Sequence, residues 1–461
     1  MKVLCIVYDN GGYMHYFPIG IASIATVLKY AGHDVEIYSQ DLHHYPEEHL
    51  THHLDTNEYD IVCVGTVAGY YPYRKLLKIS EAINKSMNRD RFSYVMGGHM
   101  VSAEPKYFLL KTGADFVVVG EGEKTILELI ERKHDIISIA GLAYRVGDEA
   151  YVNAPRQLIQ DLDTLPMIDY KLFPIEYYRL QRMPNIENTE FSMSILSGRG
   201  CTFQCTFCYR LMKGMRLRSI EAIVDEIKFL KKYYGITYFD FADDLTMESK
   251  KRSFALCEEF LRQDLNIKWR CEGRLNFVDK EVLSIMKQAG CTFINYGIES
   301  LDNQVLKNMR KGLTEEIIIK GIETTIASGI SPGLNIIFGN IGDNEETLQK
   351  SVKFLLHYDD CSQVRSIRPV TPYPGCELYE EAKRRGIIKD AKDFYEVKHT
   401  NSDLLTVNFT DLSEKKFYEC LYYANYLLLN NYNNKKKIAI EEQLNNLYHK
   451  KDTSFRGWRQ T

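Results

Sequence analysis

The sequence predicts an α/β protein: an N-terminal doubly wound parallel sheet, then a partial (β/α)6 TIM-type barrel, then a helical C-terminal region. Three observations predict it. Short apolar runs alternate with amphipathic stretches over residues 1–145, the pattern of parallel strands joined by crossover helices. Six further strand–helix units follow within 189–385, as a closed or partly closed barrel requires. Residues 386–461 are polar and mostly helical in pattern. A chain of 461 residues has room for two or three domains at about 150 residues each.

The strands expected in the first part are 3–8, 34–38, 61–66, 93–96 and 116–119. Ile21, Ala25 and Leu28 share one face of the helix after the first strand. Several strands run into glycine, at Gly65, Gly97-Gly98 and Gly120-Glu121-Gly122. Ligands of such Rossmann-like sheets bind at these carboxyl ends. Residues 146–188 read as a linker with a hairpin. Ala143-Tyr144 and Tyr151-Val152 flank a Gly147-Asp148 turn, and Pro155, Pro166, Pro174 and Pro184 mark an extended connector. The barrel strands are expected at 191–196, 238–241, 268–271, 293–298, 334–338 and 364–370. Helices are expected at 219–234, 250–262, 280–288, 314–328 and 345–357.

Hydrophobic residues at 45% and charged residues at 26% fit an ordinary globular chain. The net charge of −4 argues against a nucleic-acid partner held by bulk charge. No stretch of about 20 apolar residues predicts a membrane span, and MKVLCIVYD reads as a buried strand, not a leader. A cytoplasmic protein without a membrane partner is expected. The eleven cysteines are odd in number, and most stand alone in apolar runs. They behave as small hydrophobes, not as a disulfide framework.

Cys201, Cys205 and Cys208 are the exception. They form C-x3-C-x2-C in a glycine-rich loop, Gly198-Arg199-Gly200, just after the first barrel strand. Thiolates suit iron–sulfur clusters and zinc. Structural zinc usually takes four closed ligands. Three cysteines with no fourth nearby leave one iron of a [4Fe–4S] cubane open to a chelating substrate. A zinc site and three structural thiols are the competing readings.

The triplet, with the aromatic Phe207 before its last cysteine, resembles the motif of the radical S-adenosylmethionine (SAM) superfamily. That resemblance implies reductive cleavage of SAM at the cluster. It further implies that Asp243 or Asp244, ending the second strand, receives the SAM amino group, although the family's Gly-Gly-Glu is absent here. By the same resemblance Glu299 contacts SAM or its ribose, Arg310 meets its carboxylate, and the strand bearing Asn335 lies along the adenine. Arg270 and Arg274 are weaker candidates, with solvated or ion-paired side chains as the alternative.

Pro18-Ile19-Gly20, Ala31-Gly32-His33, Gly97-Gly98-His99, Gly120-Glu121-Gly122-Glu123, Asp161-Leu162-Asp163 and Pro372-Tyr373-Pro374-Gly375 occur in this order. Together they resemble cobalamin-binding radical SAM proteins of the class B methyltransferase kind, over roughly residues 1–390. The resemblance implies a cobalamin whose nucleotide tail enters the first sheet, held by residues such as Gly20, Thr66, Gly97, Gly98 and Glu121. Asp41-Leu42-His43 has Pro46 where D-x-H-x-x-G needs glycine, so no histidine is expected on cobalt. His15 or Tyr16 faces its lower side in this reading, or merely covers the sheet edge. No G-x-G-x-x-G follows the first strand, which disfavours a dinucleotide.

The implied function is methylation of an unactivated carbon in a small-molecule or peptide substrate, fed by an electron donor such as flavodoxin or ferredoxin. A cobalamin-dependent rearrangement or cyclisation, and a non-catalytic cluster or corrinoid carrier, are the alternatives. No catalytic side chain is singled out. Lys435–Lys437 read as a solvated helix face, and Phe455–Arg459 as a tail, disordered or docked over the barrel mouth.

Overall fold

A computed structural model describes residues 1–11, 17–181, 183, 186–187 and 189–451. The first sheet holds β1 (Lys2–Val7), β2 (Asp34–Ser39), β3 (Ile61–Thr66), β4 (Ser93–Gly98), β5 (Phe116–Val118), β6 (Leu142–Val146) and β7 (Glu149–Val152). Their spatial order is β2-β1-β3-β4-β5-β6-β7. The first five strands are parallel. Side chains alternate across the sheet, so Val3, Cys5 and Val7 enter one apolar layer and Leu4 and Ile6 the other. Both faces are covered, which is why these strands read as continuous apolar runs.

The hairpin β6–β7 extends this sheet instead of belonging to the connector: β6 pairs antiparallel with β5 through Tyr144, Ala143 and Leu142. A free hairpin is marginal in water; the edge of β5 gives it a partner. The connector itself is a wedge. Tyr170, Phe173 and Tyr178 surround the Phe17 ring at centroid distances of 5.3–5.5 Å. One apolar cluster therefore runs from Val3 through Tyr170 to Ile227 and Trp269.

The second sheet starts with β8 (Ser192–Ile195). A two-stranded antiparallel ribbon follows, β9 (Gly198–Cys201) with β10 (Gly214–Leu217). The sheet continues with β11 (Tyr238–Phe241), β12 (Lys268–Gly273), β13 (Cys291–Glu299), β14 (Ser331–Phe338) and β15 (Arg368–Pro369). The order β8-β11-β12-β13-β14-β15 is parallel throughout. It is a six-stranded part-barrel, as expected. The last strand is shorter than the 364–370 predicted. Pro369 has no N–H for the ladder, and Arg365 is held by Asp359 Oδ1 at 2.5 Å before the strand begins.

The helix Glu414–Leu444 docks on the barrel, with Phe417 stacked on Phe338 at 4.8 Å. Lys435 departs from the expected solvated face: its Nζ donates to the Asp359 carbonyl oxygen at 2.8 Å. Among the described residues no helix is long and apolar enough to cross a membrane. Pro184 and Phe455–Arg459 lie outside the described residues.

Strand order places a switch point between β1 and β3, because β2 lies on the far side of β1. Gly98 closes the neighbouring edge with φ +106°, and a Cβ there would sit 2.1 Å from the Thr66 carbonyl oxygen. Gly98→Ala is expected to destabilise the chain by about 1–3 kcal/mol. A lower guanidinium midpoint at unchanged slope checks this.

Candidate functional site

The carboxyl ends of the two sheets enclose a cavity of about 490 Å³. Thr66, Gly97, Gly98, Gly120 and Glu123 line it from the first half, with Arg199 from the ribbon and Asp243 and Asp244 from the end of β11. A buried ion-pair seam closes one side. Glu121 accepts from Arg199 at 2.8 Å and from Arg216 at 2.7 Å, and also takes the Ile159 backbone N–H at 2.8 Å. Glu123 accepts from Arg199 at 2.6 Å and from the Ser23 hydroxyl at 2.7 Å. Burial pushes the Glu123 carboxyl up, but the Arg199 guanidinium outweighs it and holds it below its usual value.

The three cysteines sit where β9 leaves the ribbon. The Thr206 N–H donates to the Met309 carbonyl at 3.0 Å, and the Leu378 N–H donates to the Thr206 carbonyl at 2.9 Å. The loop is thus clamped between the end of the helix Asn303–Asn308 and the segment after β15. Gly375 completes the clamp; a Cβ there would lie 2.3 Å from the Tyr209 ring. Cys205 is buried, Cys201 half-buried and Cys208 exposed.

The surroundings are cationic. Arg274 Nη1 lies 3.8 Å from the Cys205 sulfur, and the Arg274 guanidinium also donates to the Lys311 carbonyl. The Lys311 ammonium lies 5.6 Å from the Phe207 ring centroid and 3.0 Å from Glu299 Oε1. The Cys208 thiol donating to Cys205, with Lys311 and Arg274 nearby, lowers the Cys205 thiol to about 6; Cys208 is pushed up in turn. Among the described residues no three His, Cys, Asp or Glu side chains converge on one metal ion. A cubane does not ask for that, since each thiolate binds a different iron. Three free thiols in cationic surroundings suit a [4Fe–4S] cluster.

The carboxylate pair ending β11 is divided. Asp243 is buried, accepts the Ser197 N–H at 2.8 Å and the Gly198 N–H at 3.2 Å, and also bonds the Ser197 hydroxyl. Burial pushes it up to about 6. It shapes the turn into the cysteine ribbon. Asp244 is exposed into the cavity. Glu299 stands in left-handed backbone, φ +71°, with its carboxylate on Lys311.

Arg310 lies elsewhere: its guanidinium forms a bidentate pair with Glu377 at 2.6 and 2.8 Å on the surface. Its own φ of +53° brings the next residue, Lys311, inward instead. Thr66 donates to the Gly97 carbonyl at 2.9 Å and braces the sheet edge, and Gly20 opens the helix Ile19–Tyr30 beside the cavity. Glu121 is saturated by its arginines. Tyr16 and His15 lie outside the described residues.

The sequence pattern did not reveal Lys311, Glu123 or Arg199 as site residues. Nor did it reveal a polar ladder inside the part-barrel. Ser194, Asp240 and Arg270 are in register on β8, β11 and β12. Ser194 donates to Asp240 at 3.2 Å, and Asp240 lies 2.9 Å from Arg270 Nε. Glu272 accepts from Asn295 at 2.9 Å, and Asn335 donates to Asn295 at 2.9 Å. The sequence signal was Asp240 within the apolar β11 and the alternation of Lys268, Arg270 and Glu272 along β12.

Comparisons with known proteins fit this arrangement. The model described as the radical SAM superfamily matches residues 195–355, and that described as a B12 binding domain matches 8–130. An uncharacterized methyltransferase of Pyrococcus horikoshii is 29% identical, over 79% of this chain and 78% of its own. An anaerobic magnesium-protoporphyrin IX monomethyl ester cyclase of Rubrivivax gelatinosus is 26% identical, over 83% and 70%. A hopanoid C-3 methylase of Methylococcus capsulatus is 26% identical, over 87% and 76%. The solved radical SAM methyltransferase TsrM of Kitasatospora setae, with cobalamin and a [4Fe–4S] cluster bound, shares the fold. Its TM-score is 0.70 at 20% identity, over 83% of this chain and 78% of that one.

The ladder generates a pH prediction. Burial pushes the Glu272 carboxyl up to about 7, against 4.5 in an unfolded chain. The folded state therefore holds its proton more tightly, and stability falls as pH rises between those values. Glu272→Gln removes that loss. Its Tm relative to the parent chain is expected to improve from pH 5 to pH 8 by a few degrees, as read by calorimetry.

Proposed function

We propose that this chain, which belongs to the radical SAM superfamily and carries a B12-binding domain, methylates an unactivated carbon of a small molecule. The observation that carries this reading is one cavity shared by the glycine edge of the first sheet and the ribbon that leads into the cysteine loop. Gly198, Arg199, Leu211 and Met212 of the ribbon that carries the cysteines line the same cavity as Gly97, Gly98 and Gly120 at the edge of the first sheet. When bound, the cluster supplies an electron to cleave SAM and cobalamin supplies a transferable methyl group.

The chain's own residues prepare that chemistry. Cys201, Cys205 and Cys208 give three thiolates and leave one iron open. Arg274 and Lys311 offset their charge, and Phe207 and Tyr209 shield the loop. Glu299 holds the Lys311 ammonium beside the loop, which favours a carboxylate arriving there. Asp244, free of the bonds that occupy Asp243, takes an ammonium group. Asn335 and Asn295 offer amides along the lumen wall. Gly97, Gly98 and Gly20 admit a flat macrocycle against the sheet edge. A flavodoxin- or ferredoxin-like donor supplies electrons. The cyclase relative favours one second reading, ring closure without methyl transfer.

Anaerobic reconstitution with iron, sulfide and hydroxocobalamin tests the proposal. The parent chain is expected to bind about four irons and to form both 5′-deoxyadenosine and S-adenosylhomocysteine from SAM. Cys205→Ala is expected to lose the cluster absorbance and reduce both products to background. 5′-Deoxyadenosine alone, with corrinoid bound, would select the ring-closure reading.

A further inference from the structure

Glu123 carries an unexplained oxygen. It is 4% exposed and lines the interdomain cavity. Its Oε1 is taken by Arg199 at 2.6 Å and Ser23 at 2.7 Å. Its Oε2 is buried and has no hydrogen-bond partner among the described residues. An unpaired oxygen of a buried carboxylate costs several times a neutral hydrogen bond, and a cavity lies next to it. Glu121, two residues earlier, is saturated by two arginines and a backbone N–H. The two glutamates of the Gly-Glu-Gly-Glu turn therefore differ: one locks the domains, the other keeps an acceptor free.

Arg199 joins this acceptor to the second half of the molecule. It bridges Glu121 and Glu123 from β9, and Cys201 ends the same strand. β9 pairs only with β10, from Gly198 to Cys201, so its order depends on side-chain ties such as Arg199. Ordering of Glu123 thus reaches the cysteine strand through a single side chain.

We propose that Glu123 Oε2 accepts a hydrogen bond from an amide or hydroxyl of the bound corrinoid, so that Arg199 couples corrinoid occupancy to the order of the cysteine-bearing strand. The inference rests on the reading above that the first domain holds cobalamin. A corrin ring carries amide donors on its rim, so the chemistry matches an anionic acceptor. Burial of the seam keeps water from competing for it.

The test uses full-length, cluster-reconstituted protein and hydroxocobalamin. Affinity is read from the corrin absorbance for the parent chain, for Glu123→Gln and for Glu128→Gln. Glu128 lies on the same helix but pairs with Arg156 at 2.5 Å, away from the cavity lining. Glu123→Gln is expected to weaken binding at least 10-fold, and Glu128→Gln to leave it unchanged.

Hydrogen exchange of the parent chain gives an independent readout if Glu123→Gln does not fold. Peptides covering 120–126 and 198–201 are expected to slow together on adding hydroxocobalamin. Parent-like affinity in a folded Glu123→Gln overturns the inference. So does an equal loss in Glu128→Gln, or protection of 120–126 without 198–201. A parent chain that takes up iron but no corrinoid overturns the cobalamin reading itself.

Discussion

Two glutamates and two arginines, all nearly buried, decide how the two halves of this chain face each other. Glu121 comes from the loop after β5, Glu123 from the start of the helix Glu123–Glu131, and Arg199 and Arg216 from the ribbon β9–β10. Their charges sum to zero inside the seam. Such groups contribute little net stability against an apolar replacement of equal volume. Loss of one partner is different, because it leaves a buried charge uncompensated at about 3–5 kcal/mol. The seam therefore acts as a register device. It tolerates one relative placement of the sheet edge and the cysteine ribbon, and penalises others.

That placement matters because the cysteine loop has no element of its own to rest on. Residues 202–213 close a two-stranded ribbon whose β10 side pairs only with β9. The loop is held from outside: by Met309 and Leu378 through Thr206, and by Gly375 against Tyr209. These supports come from two separated stretches of sequence, around 309 and 375–378, so the loop reaches its shape only when the part-barrel and the segment after β15 are both in place. The cations Arg274 and Lys311 arrive by the same route. Each is nearly buried, and each has a protein partner that fixes it before any ligand does.

Period and punctuation made most of the fold legible. β3, β11 and the helices 250–262 and 280–288 stand where their patterns placed them, since each combines a clean repeat with a turn signal. The hairpin β6–β7 was visible as a hairpin, but its sheet was not, because pairing with β5 is a tertiary event. The ribbon β9–β10 was missed: Gly198-Arg199-Gly200 reads as loop, and only the partner strand makes it extended. In the site, the cysteine spacing was local and legible. Lys311 was hidden behind Arg310, because which of two adjacent cations turns inward depends on a left-handed backbone angle at Arg310. Glu123 and Arg199 were hidden for a similar reason: neither a helix start nor a loop reveals a partner some 76 residues away in sequence.

The lumen ladder and the interdomain cavity are one connected space. Ser194 and Asp240 belong to both: they begin the ladder and also line the cavity. The ladder then crosses β12 and β13 to Asn335, which is exposed. Its members satisfy one another with alternating acceptors and donors, and the Arg270 guanidinium lies between the Asp240 and Glu272 carboxylates. From the first half, Ile21, Val118 and Met96 add an apolar patch to the lining. A molecule touching both ladder and patch has its orientation set by this contrast, since reversing it would bury polar groups against Ile21 and leave the ladder unmatched. The same two strands that brace Asp243 and the cysteine ribbon thus also grade the polarity of the space. The strands β11–β14 contribute the polar ladder, while the first half contributes a glycine edge and the Glu123 carboxylate.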